Sequence, residues 1–181
     1  MPVTPLLAIH EDLGARLTDF GGWQMPLQYD GVISEHMAVR NKAGVFDISH
    51  LGRFAVSGRG STDLLRSQLC NDITKIGPGR AQYTMALNSD GGVVDDVISW
   101  CIGEDQYWII PNGVNSNKVM NPFISAAPDS VNITEMREGT VLLAIQGPSS
   151  TAILKEVLGL VPKRFRVEKG EFGGVPCWVA G

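Results

Sequence analysis

The chain has 181 residues, 44% hydrophobic and 19% charged, with 15 basic against 19 acidic side chains. That is enough to bury a sizeable core and too apolar for disorder as the main state, while a net charge of −4 argues against the basic footprint of broad nucleic-acid binding. There is no membrane-spanning apolar run, and the start, Met1-Pro2-Val3-Thr4-Pro5, lacks the basic flank and apolar stretch of a secretory signal.

Cys70, Cys101 and Cys177 form an odd set without C-x-x-C spacing and read as free thiols of a reducing compartment. His10, His36 and His50 are too scattered for a metal site, so no metal is expected. The 21 glycines and 10 prolines predict many turns between short elements.

In chain order, residues 6–13 read as a short helix and the next stretch, through Phe20-Gly21-Gly22-Trp23 and Met25-Pro26-Leu27, as an irregular loop. Residues 31–43 read as a helix, followed by extended runs at 45–50 and 51–57. Ser61 is placed to cap a helix over 62–69. Strands follow at 81–87, 93–102 and 106–110, the first two joined by Asn88-Ser89-Asp90-Gly91-Gly92. A weak helix over 115–127 is interrupted by Pro122. Strands at 131–136 and 140–146, a helix at 149–158 and two extended pieces around Gly173-Gly174 complete the chain. Strand, helix, three strands, helix, strand is an α+β order, best matched by a ferredoxin-like unit with an extra hairpin.

The most informative chemistry is Asp95-Asp96 inside the long strand. Alternation puts Asp96 with Val94, Ile98 and Trp100, and Asp95 with Val93, Val97 and Cys101. Both faces are largely apolar, so one carboxylate is expected to be enclosed and hydrogen-bonded, because an uncompensated buried charge is costly. The face with the larger side chains, that of Asp96, is the expected enclosed one. Tyr83 in the preceding strand and Asn112 after the next one could converge on it. Asp47, Ser49 and His50 resemble pieces of a hydrolytic triad, but adjacent Ser49 and His50 in an extended run point to opposite faces, and no G-x-S-x-G elbow exists.

Taken together, the motifs resemble those of the aminomethyltransferase family, the T-proteins of the glycine cleavage system. The resemblance is carried by Asp19-Phe20-Gly21-Gly22-Trp23-Gln24-Met25-Pro26-Leu27, Glu35-His36-Met37-Ala38-Val39-Arg40, Gly44-Val45-Phe46-Asp47-Ile48-Ser49-His50-Leu51-Gly52 and Asn71-Asp72-Ile73. Gly79-Arg80-Ala81-Gln82-Tyr83-Thr84, residues 88–96 and Gln146-Gly147-Pro148 continue it in order. It implies a ferredoxin-like folate-binding aminomethyltransferase fold. It also implies a reaction in which the S-aminomethyldihydrolipoyl arm of a carrier, the H-protein, delivers a one-carbon unit to tetrahydrofolate with release of ammonia. By resemblance Asp96 is the catalytic and pterin-contacting aspartate, and Tyr83 and Asn112 line the folate pocket. Leu51 stands there where the family usually has methionine, an exchange that keeps apolar packing.

The family pattern continues past the strand at 175–179 with an Arg-Thr-Gly-Tyr-Thr-Gly-Glu stretch and a C-terminal barrel-like domain. The expectation is therefore a truncated form with the barrel domain absent and little activity alone. Its organisation is expected as an N-terminal segment (1–50), a ferredoxin-like folate-binding unit (51–139) and the start of an incomplete second such unit (140–181). Exposed strand surface in that last part would favour self-association. The resemblance implies a cytoplasmic protein that meets the lipoylated carrier and, through it, the glycine decarboxylase system, with no nucleic-acid or membrane partner. Two other readings stay open: a naturally shortened, non-catalytic folate-binding or interaction homologue, and the folate domain of a demethylase or of a dimethylglycine or sarcosine oxidoreductase.

Overall fold

Thirteen glycines take φ in the left-handed region, so the glycine content belongs to turns between short elements. The computed structural model describes residues 1–181. In chain order it contains α1 (Leu7–Asp12), β1 (Arg16–Phe20), β2 (Trp23–Gln28), α2 (Val32–Asn41), β3 (Gly44–Asp47), β4 (Phe54–Ser57), α3 (Ser61–Gln68) and β5 (Arg80–Leu87). There follow β6 (Val93–Gly103), β7 (Gln106–Ile110), α4 (Ser116–Ala126), β8 (Asn132–Glu135), β9 (Leu143–Gln146), α5 (Ser150–Leu158), β10 (Val167–Phe172) and β11 (Val175–Ala180). These form two units, Met1–His50 with Gly139–Leu160, and Leu51–Glu138 with Val161–Gly181. The stretch 140–181 is thus divided between the units.

The second unit is built on a five-stranded antiparallel sheet of order β5-β6-β7-β4-β8. Counting β4, β6, β7 and β8, this is the ferredoxin-like order, with β5 the additional edge strand. Period-2 alternation sends Phe54, Val56, Val97, Cys101, Tyr107 and Ile109 to one face, where Leu64 and Leu65 of α3 and Val119 and Phe123 of α4 complete the core. The Phe54 and Phe123 rings meet edge to face, 5.3 Å apart. The opposite face is covered at one end by the β10–β11 hairpin. There Trp178 meets Trp108 edge-on and Trp108 stacks on Trp100.

Two local expectations change. Gly60, not Ser61, is the N-cap of α3, in the left-handed conformation; the Ser61 hydroxyl donates back to the Gly58 carbonyl instead of accepting from the helix. Helix α4 runs through Pro122. Pro122 and Lys118, whose carbonyl loses its partner there, lie on the exposed side, while Val119 and Phe123 are buried.

In the first unit the expected loop around Gly21-Gly22 is a β1–β2 hairpin. Both glycines have positive φ, 60° and 85°, which a two-residue hairpin turn of matching twist requires. Asp19 accepts from the Gly22 N–H at 2.8 Å. Strands β3 and β9 pair antiparallel and leave Val45, Phe46 and Leu143 exposed. Order here is carried by a polar network. The Asp47 side chain, 1% exposed, accepts from Thr4 Oγ1, from His10 Nε2 at 2.9 Å and from the Ser49 N–H at 2.9 Å. Tyr29 Oη donates to His10 Nδ1 at 2.8 Å.

Burial pushes the Asp47 carboxyl upward, but the hydrogen bonds from His10, Ser49 and Thr4 outweigh it and hold it below the usual carboxylate range. Tyr29 is raised, by burial first and then by the charges of Glu35 and Asp47. Glu35 is lowered by accepting from the Gly31 and Tyr29 N–H groups ahead of α2.

Candidate functional site

Strand β6 is eleven residues long, and its alternation decides the site. Asp95, Val97, Ser99 and Cys101 face the helices and are 5%, 1%, 0% and 2% exposed. Asp96 lies on the opposite face and is exposed, as is Ile98. The expectation that Asp96 is the enclosed carboxylate is therefore corrected: Asp95 is enclosed. The large side chains on the Asp96 face gave the misleading signal. Trp100 is buried by the β10–β11 hairpin at its own end of the sheet, and that cover leaves Asp96 open.

Around the two carboxylates the expected residues do gather. Asp95 Oδ2 accepts from the Asn112 backbone N–H at 2.8 Å, and Asp95 Oδ1 accepts from Asn112 Nδ2 and from Asn115 Nδ2, each at 2.9 Å. On the open face Tyr83 Oη donates to Asp96 Oδ2 at 3.0 Å, and Asn112 Nδ2 reaches Asp96 Oδ1 at 3.3 Å. The Tyr83–Asp96 contact is a diagonal cross-strand pair, since Tyr83 stands opposite Ile98 and Met85 opposite Asp96. The hydrogen bond to Asp96 raises the Tyr83 phenol above its ordinary value, with smaller upward contributions from desolvation and from the charges of Asp96 and Asp95. No Lys, Arg or His forms an ion pair with either aspartate.

Leu51 is half-buried. Its neighbour Gly52 donates to the Pro111 carbonyl at 2.9 Å, which brings Leu51 alongside the segment that carries Asn112. A Cβ on Gly52 would lie 2.5 Å from Ser116 Oγ and 2.7 Å from Pro111 Cγ, so only glycine permits this approach. Two contributors escape a reading of the sequence. Asn115 braces Asp95, and Asn71 Nδ2 donates to the Tyr83 carbonyl at 2.8 Å. Asn71 belongs to the Asn71-Asp72-Ile73 block, the one sequence signal that could have marked it.

The arrangement offers acceptors: an exposed carboxylate held on one side by a phenol and on the other by an amide. It suits a ligand that presents N–H donors beside an aromatic ring. No group of three His, Cys, Asp or Glu side chains is placed to hold a metal ion. The triad-like residues do not assemble either. Asp47 pairs with His10, the Ser49 hydroxyl accepts from the Leu142 N–H at 3.0 Å, and the His50 ring packs edge-on against Phe20. No helix is long and apolar enough to cross a membrane.

The family model described as "GCVT N-terminal domain" matches residues 6–181. An aminomethyltransferase of Mycobacterium avium (strain 104) is 45% identical over 156 residues, covering 86% of this chain and 42% of that protein. The crystal structure of glycine cleavage system aminomethyltransferase T from Bartonella henselae superposes with a TM-score of 0.86 at 31% identity, over 93% of this chain and 47% of that one. A heterotetrameric sarcosine oxidase from Corynebacterium sp. U-96 shares the fold alone, with a TM-score of 0.56 at 9% identity over 80% of this chain and 75% of that one. The chain thus spans less than half the length of the aminomethyltransferases it matches.

Proposed function

We propose, because the chain belongs to the GCVT N-terminal domain family, that it supplies one wall of the tetrahydrofolate site of an aminomethyltransferase acting in the glycine cleavage system. The observation that carries this is the exposed Asp96 carboxylate, braced by Tyr83 and Asn112 on the part of the sheet face that the β10–β11 hairpin leaves uncovered. Relatives named aminomethyltransferase supply the reaction class. The one-carbon unit would pass from the S-aminomethyldihydrolipoyl arm of a carrier protein to tetrahydrofolate, releasing ammonia. Bound tetrahydrofolate supplies the nucleophilic nitrogen, so the chain needs no activated serine or cysteine.

The work left to the protein is alignment and proton handling. Asp96 accepts from pterin N–H groups and holds or takes up a proton at its carboxylate. Tyr83, about half exposed at 49%, offers its ring for packing and its hydroxyl to fix Asp96. Asn112 contributes a polar wall and Leu51 an apolar one. Operation in the cytoplasm, alongside a lipoylated carrier, belongs to the same proposal.

The test is titration of 5-formyltetrahydrofolate onto the chain and onto Asp96→Asn, read by tryptophan fluorescence. Saturable binding that weakens in the variant supports the reading; absence of binding, or equal binding by both, overturns it. Tetrahydrofolate-dependent ammonia release from a loaded carrier is expected to be low for this chain alone. The exposed Val45, Phe46 and Leu143 on β3 and β9 support self-association at high concentration, which sedimentation velocity would detect.

A further inference from the structure

Asp95 is spent entirely inside the protein. The residue is 5% exposed, and its carboxylate takes three donors: one backbone N–H and two side-chain amides, from Asn112 and Asn115. Only an acceptor-only group complements that set, because an amide in its place would turn an N–H against one of the three. The cost of burying a carboxylate is accepted here in exchange for control of Asn112, which is clamped through both its main chain and its side chain.

That clamp decides what Asn112 can offer. Its Nδ2 has two hydrogens. One is held by Asp95 Oδ1 at 2.9 Å and the other reaches the Asp96 side, Oδ1 at 3.3 Å and the carbonyl at 3.4 Å. With both N–H bonds used, the amide has only its carbonyl oxygen left for a ligand. The same Nδ2 holds Asp96 Oδ1, while Tyr83 holds Asp96 Oδ2. Reversal of the Asn112 amide would set its oxygen against two carboxylates and release Asp96.

Resting on the folate reading above, we infer that Asp95 is the positioning residue of this site. Without touching the ligand, it locks the Asn112 amide in one orientation, and through it the Asp96 carboxylate. The site then presents two aligned acceptors, Asp96 and Asn112 Oδ1, and selects ligands with adjacent N–H donors. Asn115 is the second brace of the same device. It also accepts from Lys118 Nζ at 3.5 Å, a contact at the exposed start of α4.

The test uses the 181-residue chain, ¹⁵N-labelled, with Asp95→Asn and Asn115→Ala. The Asn112 side-chain amide resonances are identified by their loss in Asn112→Ser, and 5-formyltetrahydrofolate is the probe. In the wild type the two Asn112 amide protons are expected to be distinct and slow to exchange. In Asp95→Asn they should shift and exchange faster, with affinity down about tenfold. In Asn115→Ala, which leaves Asn112 and both aspartates intact, the same resonances should move and affinity should fall about two- to threefold. A residue with only a structural role would lower the melting temperature and leave affinity, measured well below the melt, unchanged.

A folded Asp95→Asn with wild-type affinity and unmoved Asn112 resonances overturns the inference. If that variant does not fold, Asn115→Ala decides by the same two readouts. If the wild-type chain binds no 5-formyltetrahydrofolate, the folate reading fails by itself. The Asn112 resonances then decide the role of Asp95: movement sustains it, constancy removes it.

Discussion

The two units bury carboxylates for different ends. In the first, Asp47 gathers Thr4 and His10 from the start of the chain, together with its near neighbour Ser49, and ties the N-terminal segment to β3. No apolar cluster backs it; every residue of the buried hydrophobic cluster belongs to the second unit. In that second unit the sheet and two helices already make the core, and Asp95 is free to organise a neighbouring site. A saturated carboxylate is thus a fastener in one unit and a positioning element in the other. The exposed Asp96, with acceptor capacity left over, is the one suited to a ligand.

The sharpest way to break this contrast is to attack each unit's own support. Phe54→Ala, in the apolar core, should cost about 3–5 kcal/mol in urea denaturation, with hydrogen-exchange protection lost across β4, β7 and α4. Asp47→Asn should cost about 2–3 kcal/mol at neutral pH and loosen β3 and β9 first. A loss under about 1 kcal/mol would show that the network does not hold the first unit.

The network also sets a pH signature. The folded Asp47 carboxyl sits below its ordinary value, so its stabilisation is fully present above the unfolded value near about 4 and disappears as pH falls through the lower folded value. Melting temperatures should fall over that acidic window in the wild type and fall less in Asp47→Asn. Parallel curves would remove Asp47 from the account.

Within the second unit the adjacent aspartates should separate cleanly. Asp95→Asn should cost about 1.5–3 kcal/mol of stability because an amide N–H then opposes a buried donor that the carboxylate had satisfied, whereas Asp96→Asn should change stability by less than about 0.5 kcal/mol. In a complete enzyme the order reverses for turnover, with Asp96→Asn the more damaging. Equal effects on both measurements would erase the distinction between fastener and ligand-facing group.

The smallest expected effect is spectroscopic. With ¹³C-labelled tyrosine the three tyrosines can be followed individually, and Asp96→Asn should bring the Tyr83 phenol down toward its ordinary value while leaving Tyr29 and Tyr107 raised by burial. An unmoved Tyr83 would mean that the bond to Asp96 is not formed in solution.

Much of this was legible in the residues. The order of elements from β4 to β8 follows from alternation and turn signals, and so does the presence of Asp95 and Asp96 on opposite faces of one strand. The β1–β2 hairpin was missed because its strands are short and Pro26 interrupts them, although Gly21-Gly22 carried the turn signal. Asn115 was invisible because asparagine beside a helix start ordinarily reads as local capping, and nothing local ties it to a carboxylate twenty positions earlier.

By itself, then, the sequence carried the ordered motifs that resemble the family, the order of elements along the chain, and the expectation that Tyr83, Asp96 and Asn112 could converge. The element order follows from local propensity and a period of two, which short segments carry on their own, whereas the resemblance rests on the motifs. Only tertiary structure decided which aspartate is enclosed and which stays exposed. Alternation defines two faces of a sheet but not which one the helices cover. That choice depends on α3, α4 and the β10–β11 hairpin, whose docking buries Asp95 and Trp100 on opposite faces and leaves Asp96 open.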